Sequence, residues 1–504
     1  MQPIGVTYGL DDRPPTGRAI VLAAQHVLTM FGSTVAIPLL FGPALWPVGP
    51  EMSAEQQATN IAVLISSVML CSGLATFVQA TFGSRLPIIQ GVSFSFITAF
   101  FGIIGACQAK GLGGEVAMQY IAGAVIAGAA IEIFIGFSGL MGWLRRLLSP
   151  VVVGPVIMLI GLALYQHGAP KAGTHWGISG LTIGLVILFS LVLSRRHQIF
   201  QMFPMLLAVG ISCAVCWAMT ASGVFPQGHP GHVSFDAVEH AKWVRIDPRE
   251  VVFPWGFPKF NVAFFVAVLA GYLASMVESF GDYHACSQMA GAGDPTPKQI
   301  SRGIGCEGIG CAITGVFGGF ASTSYSENIG LVGLTKVASR YVVQIGAVIL
   351  VLLGLFGKFG AFAATIPGPV VGGLYCALFG LISAVGIQQL AKCDLKADRN
   401  LFIAGFSLFM GLSVPAYFSS IADKANLSAG QTLAMYTPTA EGWLALLSEG
   451  VRGVVTAIGT TGMAVAAIIG LLLDNIIPGT DKERGLDIPS LLVPEGGDIS
   501  EGSE

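Results

Sequence analysis

Apolar runs of about 20 residues, the length a helix needs to cross a bilayer's hydrocarbon core, recur along this chain from Arg18 almost to Asp474. A backbone in lipid must satisfy its N–H and C=O groups internally, so only helices and closed barrels span a membrane. Runs this long select helices, and an all-α polytopic membrane protein is predicted. The composition fits: 53% of residues are hydrophobic and 11% charged, where soluble domains carry about 25% charge. The 504 residues could hold two or three soluble domains, yet the apolar runs leave no room for one. No separate enzyme domain is expected, and neither an HExxH motif nor a GxSxG elbow occurs.

We place fourteen transmembrane segments, among them the third at 86–106, the fifth at 150–167, the eighth at 262–285 and the ninth at 303–320. The tenth falls at 322–338, the eleventh at 341–359, the twelfth at 368–388 and the fourteenth at 451–474. The third and tenth are each interrupted by a polar, extended-looking patch, Gln90-Gly91-Val92-Ser93-Phe94-Ser95-Phe96 and Ser322-Thr323-Ser324-Tyr325-Ser326-Glu327-Asn328. Short strands are expected there, because an unwound segment at membrane depth survives only under protein or beside a water-filled cavity. The two patches lie seven segments apart. Pro150-Val151-Val152-Val153-Gly154 and Pro369-Val370-Val371-Gly372-Gly373 link the fifth and twelfth segments at the same offset. A repeat of seven enters the membrane from opposite sides, so a 7+7 inverted repeat is predicted, the arrangement that supports alternating access.

The formal net charge of −3 says little, but its placement orients the chain. Most Lys and Arg, including Arg85, Arg145, Arg146, Lys298, Arg302 and Arg484, fall in the even-numbered loops and the two tails. The positive-inside rule then puts both ends in the cytoplasm, the chain being a multi-pass protein of the plasma membrane. The first apolar run lacks a convincing cleavage site and reads as a retained segment. Nine cysteines are scattered, and Cys213 and Cys216 sit mid-segment without partner ligands; packing is their expected task, with no metal or cofactor. Residues 223–259 form the only long loop, to which the sequence assigns no function, and the tail after Ile477 reads as solvated.

Ionisable groups inside a membrane mark function by default. Glu278 and Asp282 are spaced i, i+4 and share one helical face. Two carboxylates so close in a dry site resist joint ionisation, which suits one of them to take up a proton; a solvated helix end is the bland alternative. Glu327 and Asn328 open the half-helix of the tenth segment, where free N–H groups favour oxygen ligands, and with Ser326 they could equally cap it. Glu307 stands among Gly303, Gly305, Gly308 and Gly310, with a buried interhelical hydrogen bond and a coupling role both open to it. Gln25-His26 could pair in the core or touch substrate, and Glu132 reads as structural without an evident partner.

The run Glu327-Asn328-Ile329-Gly330-Leu331-Val332-Gly333-Leu334-Thr335-Lys336 resembles, at every defined position, the signature of the nucleobase/ascorbate transporter family. Gln25-His26 is similar to the family's first-segment pair, Glu278 with Asp282 to its eighth-segment acids, and Glu307 to its ninth-segment acid. The resemblance spans nearly the whole chain. It implies a core domain in residues 1–149 and 262–367, a gate domain in 150–261 and 368–475, a cytoplasmic tail in 476–504, and a homodimer. It implies Glu278 as main substrate-binding and proton-coupling carboxylate and Glu327 as second anchor. Ser93, Phe94, Tyr325 and Ser326 would close the pocket, with Asp282, Asn328, Gln25 and His26 near it and Glu307 sharing the coupling.

The implied activity is proton-coupled nucleobase uptake, with no nucleic acid as partner. A flat ring of alternating N–H and C=O groups suits carboxylates and backbone amides, and Phe94 or Phe96 could stack on it. Asp282 resembles the xanthine and uric acid carriers, whereas Glu327 resembles uracil-type and plant-like members, so an oxopurine is favoured over uracil. The run Glu278 to Cys286 also resembles the animal ascorbate branch, which usually has Pro where Glu327 stands. Sodium-coupled transport stays open, as does an anion exchanger or channel of related fold, although that would want fixed positive charge at the site.

Overall fold

A computed structural model describes residues 6–50, 52–142, 147, 149–424 and 449–486. Arg145, Arg146 and residues 487–504 of the expected tail lie outside the described residues. The first half runs through α1 (Thr16–Leu45), α2 (Ala54–Thr81), β1 (Gln90–Val92), α3 (Ile97–Ala109) and α4 (Gly114–Ser138). It continues with α5 (Pro150–Ala163), α6 (Tyr165–Gly173), α7 (Trp176–Ile187) and α8 (Pro204–Ala221). The second half holds α9 (Val262–Met289), α10 (Pro297–Val316), β2 (Ser322–Ser324), α11 (Ser326–Thr335), α12 (Arg340–Leu355) and α13 (Gly357–Ala364). It closes with α14 (Gly368–Leu390), α15 (Asp398–Lys424), α16 (Glu449–Thr460) and α17 (Gly462–Ile476).

Local chemistry fixes the helix starts. At α2 the Ser53 hydroxyl accepts from the Gln56 N–H at 3.1 Å while the Gln56 side chain accepts from the Ser53 N–H at 3.1 Å. Thr296 and Gln299 make the same reciprocal pair at α10, with Pro297 in the first turn, where its missing N–H is not needed. Outward faces are apolar: Phe134 is 65% exposed and Phe409 64%. In water such faces would be a liability, and in a bilayer they meet lipid.

Among the described residues nine helices are long and apolar enough to cross a membrane, or ten if Val454–Thr460 and Gly462–Ile476 form one bent span. The third, ninth, tenth and eleventh segments of the sequence reading fall on shorter or more polar helices: Phe94–Ala109, α10, α11 and α12. The fourteenth segment, expected as one straight run over 451–474, bends by 94° at Thr461. Thr461 is extended there (φ −104°, ψ 97°), and Gly462 presses on α15 so closely that a Cβ would lie 2.3 Å from the Gly411 carbonyl oxygen. The break thus falls where the two backbones cross. The fifth segment runs on to Gly173 as two helices meeting at Leu164.

The helices gather into two sets. In one, α4 packs on α10, α10 on α2, and α2 on α12 and α13, with α1 against α12. In the other, α14 packs on α5, α6 and α7, and α17 on α5 and α15. Small residues set the closeness of these pairs, as in membrane helix interfaces generally. A Cβ on Gly136 of α4 would fall 2.2 Å from the Gly305 nitrogen of α10, and one on Gly308 2.8 Å from the Ile133 nitrogen. The glycine-dense stretch around Glu307 therefore serves α4–α10 contact. Helix α9 touches both sets, through α4 on one side and α16 and α17 on the other.

The two polar patches meet. β1 and β2 form a two-stranded antiparallel sheet with Gln90 opposite Ser324, Gly91 opposite Thr323 and Val92 opposite Ser322. The pairing is extended by Ser93 N–H donating to the Ala321 carbonyl (2.9 Å) and Tyr325 N–H to the Ile89 carbonyl (3.0 Å). Each patch thus satisfies the other's backbone at a depth where water cannot. Only glycine fits at 91, since a Cβ would lie 2.3 Å from the Tyr325 ring.

The long loop is folded down rather than free. Arg245 is 5% exposed; its N–H donates to the Leu355 carbonyl (2.8 Å) and its guanidinium to the Glu250 carbonyl (2.7 Å). Trp255 donates its indole N–H to the Gly318 carbonyl at 3.0 Å. The loop therefore pins the ends of α10 and α12.

Candidate functional site

The site is built where the sheet ends. β1 leads through Ser93 into the turn Phe94–Phe96 and α3, β2 leads through Tyr325 into α11, and α9 runs past both. Along α9, Ser275, Glu278, Ser279, Asp282 and Tyr283 recur at intervals of one helical turn and form a polar stripe in an otherwise apolar helix.

Glu307 is 1% exposed and well supplied with donors. Its Oε1 accepts from the hydroxyls of Ser279 (2.8 Å) and Ser275 (3.0 Å), and its Oε2 from Tyr283 (2.8 Å). Gln79 of α2 donates to the Tyr283 oxygen at 2.7 Å. Of the two alternatives left by the sequence, the interhelical hydrogen bond is present, and it joins α9 to α10.

Asp282 is also occupied. Its Oδ2 accepts from the Ser324 hydroxyl and its Oδ1 from the Ser326 hydroxyl, both at 2.8 Å, so it clamps α9 to the end of β2 and the start of α11. Glu278, one turn earlier and half-buried, accepts no hydrogen bond from any described residue. It has Asp282, Glu307 and Glu327 as electrostatic neighbours. Glu327 is exposed and takes one donor, the Ser33 hydroxyl of α1 at 3.0 Å. Of the four acids grouped here, Glu278, Asp282, Glu307 and Glu327, the first and the last keep oxygens to which no described residue donates.

The remaining predicted residues divide. Tyr325 is buried under Gly91, donating its hydroxyl to the Val92 carbonyl (3.1 Å) and accepting from Thr34 (3.3 Å). Ser93 accepts from the Ser95 N–H at 3.3 Å and caps the short turn, while Ser326 is exposed at the head of α11. Asn328, fully buried, donates its amide to the His26 carbonyl at 2.9 Å and lies 3.2 Å from His26 Nδ1. Through this contact His26 ties α1 to α11. Gln25 is not brought to the acids by a hydrogen bond, its Oε1 being buried and unmatched.

Of the two candidate stacking rings, Phe96 is fully buried against Phe100 (centroids 5.7 Å) and Tyr272 (4.8 Å). It is packing, and Phe94 is left as the ring that is partly open. Phe94 packs against both the large core cluster and the cluster that joins α5 to α17. Glu132 of α4 is 0% exposed; the Cys311 thiol lies beside it, and among the described residues no N–H or O–H donor meets either carboxylate oxygen.

Ser33, Gln79, Ser275 and Ser279 are site residues that sequence reasoning did not single out, whereas Ser324 lies within the polar patch of the tenth segment. The signal for the α9 pair was available: Ser275, Ser279 and Asp282 fall at i, i+4 and i+7. Nothing local marks Ser33 or Gln79, whose partners are 294 and 204 residues away.

The Xan_ur_permease model, described as a permease family, matches residues 17–420. Solute carrier family 23 member 2 of Rattus norvegicus is 36% identical over 543 residues, covering 99% of this chain and 78% of the relative. Nucleobase-ascorbate transporter 12 of Arabidopsis thaliana is 34% identical over 513 residues, covering 95% and 71%. Among solved structures, the overall structure of SLC26A9 superposes with a TM-score of 0.53 at 12% identity, covering 79% of this chain and 62% of that one, a likeness of fold alone. Members of the matched family are transporters, not enzymes. The chain belongs to the nucleobase/ascorbate permease family of membrane transporters.

Proposed function

We propose that the chain is a secondary active carrier that takes up a nucleobase together with a proton, xanthine or uric acid before uracil. One observation carries the reading: Glu278 is a half-buried carboxylate with no hydrogen-bond partner among the described residues, flanked by acids whose oxygens are wholly or partly taken. An unpaired carboxylate away from water is unfavourable unless a ligand or a proton completes it. A ring N–H donor completes it. Glu327 at the head of α11 offers a second acceptor, and Phe94 an apolar face.

The proton coupling follows from the same shortage of donors. Empty and ionised, the pocket is held back by its charge; protonated and loaded with a neutral base, it crosses. In this account residues 1–149 and 262–367 form the core and residues 150–261 and 368–475 the gate, as two inverted repeats of seven segments with 476–504 as tail. The packing of the helices into two sets supports the division. Both ends are cytoplasmic, and two copies pair through the gate side.

A second reading, sodium-coupled ascorbate transport, is favoured by the resemblance of Glu278–Cys286 to the ascorbate branch; Glu327, an acid where that branch has Pro, speaks for a nucleobase. An anion exchanger is disfavoured by a site of carboxylates. Thermal melting of the purified chain with xanthine, urate, uracil, and ascorbate with sodium tests the choice, since a ligand that binds only the folded state raises stability. Xanthine or urate is expected to raise the melting temperature of the wild type and not of Glu278→Gln. A rise with ascorbate and sodium alone would transfer the assignment to the second reading.

A further inference from the structure

We infer that Asp282 and Glu307 hold one proton in common, passed between them through the hydroxyls of Ser324 and Ser279. This rests on the coupled-transport reading for its purpose but on hydrogen-bond geometry for its existence. Four oxygens form an unbroken line: Glu307 Oε1 to Ser279 Oγ, Ser279 Oγ to Ser324 Oγ, and Ser324 Oγ to Asp282 Oδ2, each 2.8 Å apart. Each separation is that of an O–H···O hydrogen bond, which takes one hydrogen.

Three links need three hydrogens, and the two serines supply one each. If Ser279 donates to Glu307 and Ser324 to Asp282, the middle link has none. If Ser279 donates to Ser324, the link to Glu307 must be filled by a proton on Glu307. If Ser324 donates to Ser279, the link to Asp282 must be filled by a proton on Asp282. The line is therefore complete only when one of the two acids is protonated, and either one will do.

The two arrangements interconvert by a shift along the line. The Asp282 O–H bond breaks as its proton passes to Ser324 Oγ, the Ser324 hydrogen passes to Ser279 Oγ, and the Ser279 hydrogen passes to Glu307 Oε1. Each serine ends with one hydrogen, Asp282 is ionised and Glu307 neutral. One proton has moved from the β2 end of α9 to the interior of the α9–α10 contact. Other contacts hold the ends still: Ser275 and Tyr283 on Glu307, Ser326 on Asp282. The Thr323 hydroxyl, 3.2 Å from Ser279, can steady the middle.

The charged and titratable groups facing this line are Tyr272, Glu278, Tyr283 and Cys286 on α9, Glu132 on α4, Cys311 on α10, Glu327 on α11 and Lys392 beyond α14. None belongs to the line itself. Ser279 and Ser324 are positioning residues, and Asp282, next to the open carboxylate of Glu278, is the end from which substrate binding would reach the proton.

Infrared difference spectroscopy of the purified full-length protein tests this without transport, by subtracting each variant from the wild type in the protonated-carboxyl C=O stretch. An amide at either end brings its own N–H to fill the third link. Asp282→Asn and Glu307→Gln are therefore both expected to lose the same single protonated-carboxyl band, and Ser279→Ala to abolish that shared behaviour, with Ser279→Thr restoring it. Ser324→Ala breaks the adjacent link and serves if Ser279→Ala does not fold. Loss of a band in only one of the two amide variants, or in neither, would overturn the shared proton. A protein that shows the shared band but moves no nucleobase would sink the transport reading and leave the relay standing.

Discussion

Asp282 and Glu278 stand one turn apart on α9 and differ in what touches them. Among the described residues Asp282 receives two hydroxyls and Glu278 none, so removing each has a different consequence. Asp282→Ala removes the acceptor that ties α9 to Ser324 and Ser326, and a lost hydrogen bond costs about 0.5–1.5 kcal/mol, or about 1.5–3 kcal/mol where the acceptor is charged; its thermal midpoint is expected to fall clearly below wild type. Glu278→Gln breaks no contact of the fold and is expected to stay within about 0.5 kcal/mol of wild type, while its uptake is lost. Thermal melting of both variants beside an uptake assay separates these roles, and equal destabilisation would contradict them. The sequence exposed the acids because charge is rare in apolar segments. It could not tell the occupied from the open, because Ser324, Ser326 and Ser33 come from elements distant along the chain. Asn328 shows the same limit: it lies within the signature run, yet its amide serves His26 across 302 residues.

The pairing of β1 with β2 is the element on which the site depends, since it fixes both half-helix starts. Gly91→Ala forces a Cβ into the Tyr325 ring, and overpacking of this kind costs about 1–3 kcal/mol. Loss of ligand-induced stabilisation together with a lowered melting temperature is the expected result; an unperturbed Gly91→Ala would show that the strands do not hold the pocket. Both strands were legible, because polar, hydroxyl-rich patches interrupt apolar segments at a matching offset. The bend at Thr461 was not: an apolar run such as Met463–Leu473 reads as continuous helix, and only the crossing of Gly462 over Gly411 reveals the break. The folded-down loop was equally hidden, since the burial of Arg245 depends on carbonyls contributed by α12 and its own chain.

For the whole molecule, the account requires the two helix sets to move against each other. Gly281 of α9 and Gln389 of α14 face across the division, a Cβ at Gly281 lying 3.9 Å from the Gln389 amide nitrogen. Cysteines at both positions, bridged by a short bifunctional thiol reagent, are expected to arrest uptake while leaving substrate binding; the parent protein treated alike is the control. Full activity after verified cross-linking would mean that the sets do not move at this contact. The central claim, that an open carboxylate couples a proton to a nucleobase, is tested most directly by radiolabelled xanthine and uracil uptake in cells lacking their own nucleobase carriers. Wild type and Glu278→Gln would be compared with and without a protonophore. The account predicts protonophore-sensitive uptake that falls as external pH rises, competition between the two bases with xanthine the stronger, and no uptake by Glu278→Gln. Uptake of neither base, together with sodium-dependent uptake of ascorbate by the same cells, would contradict it.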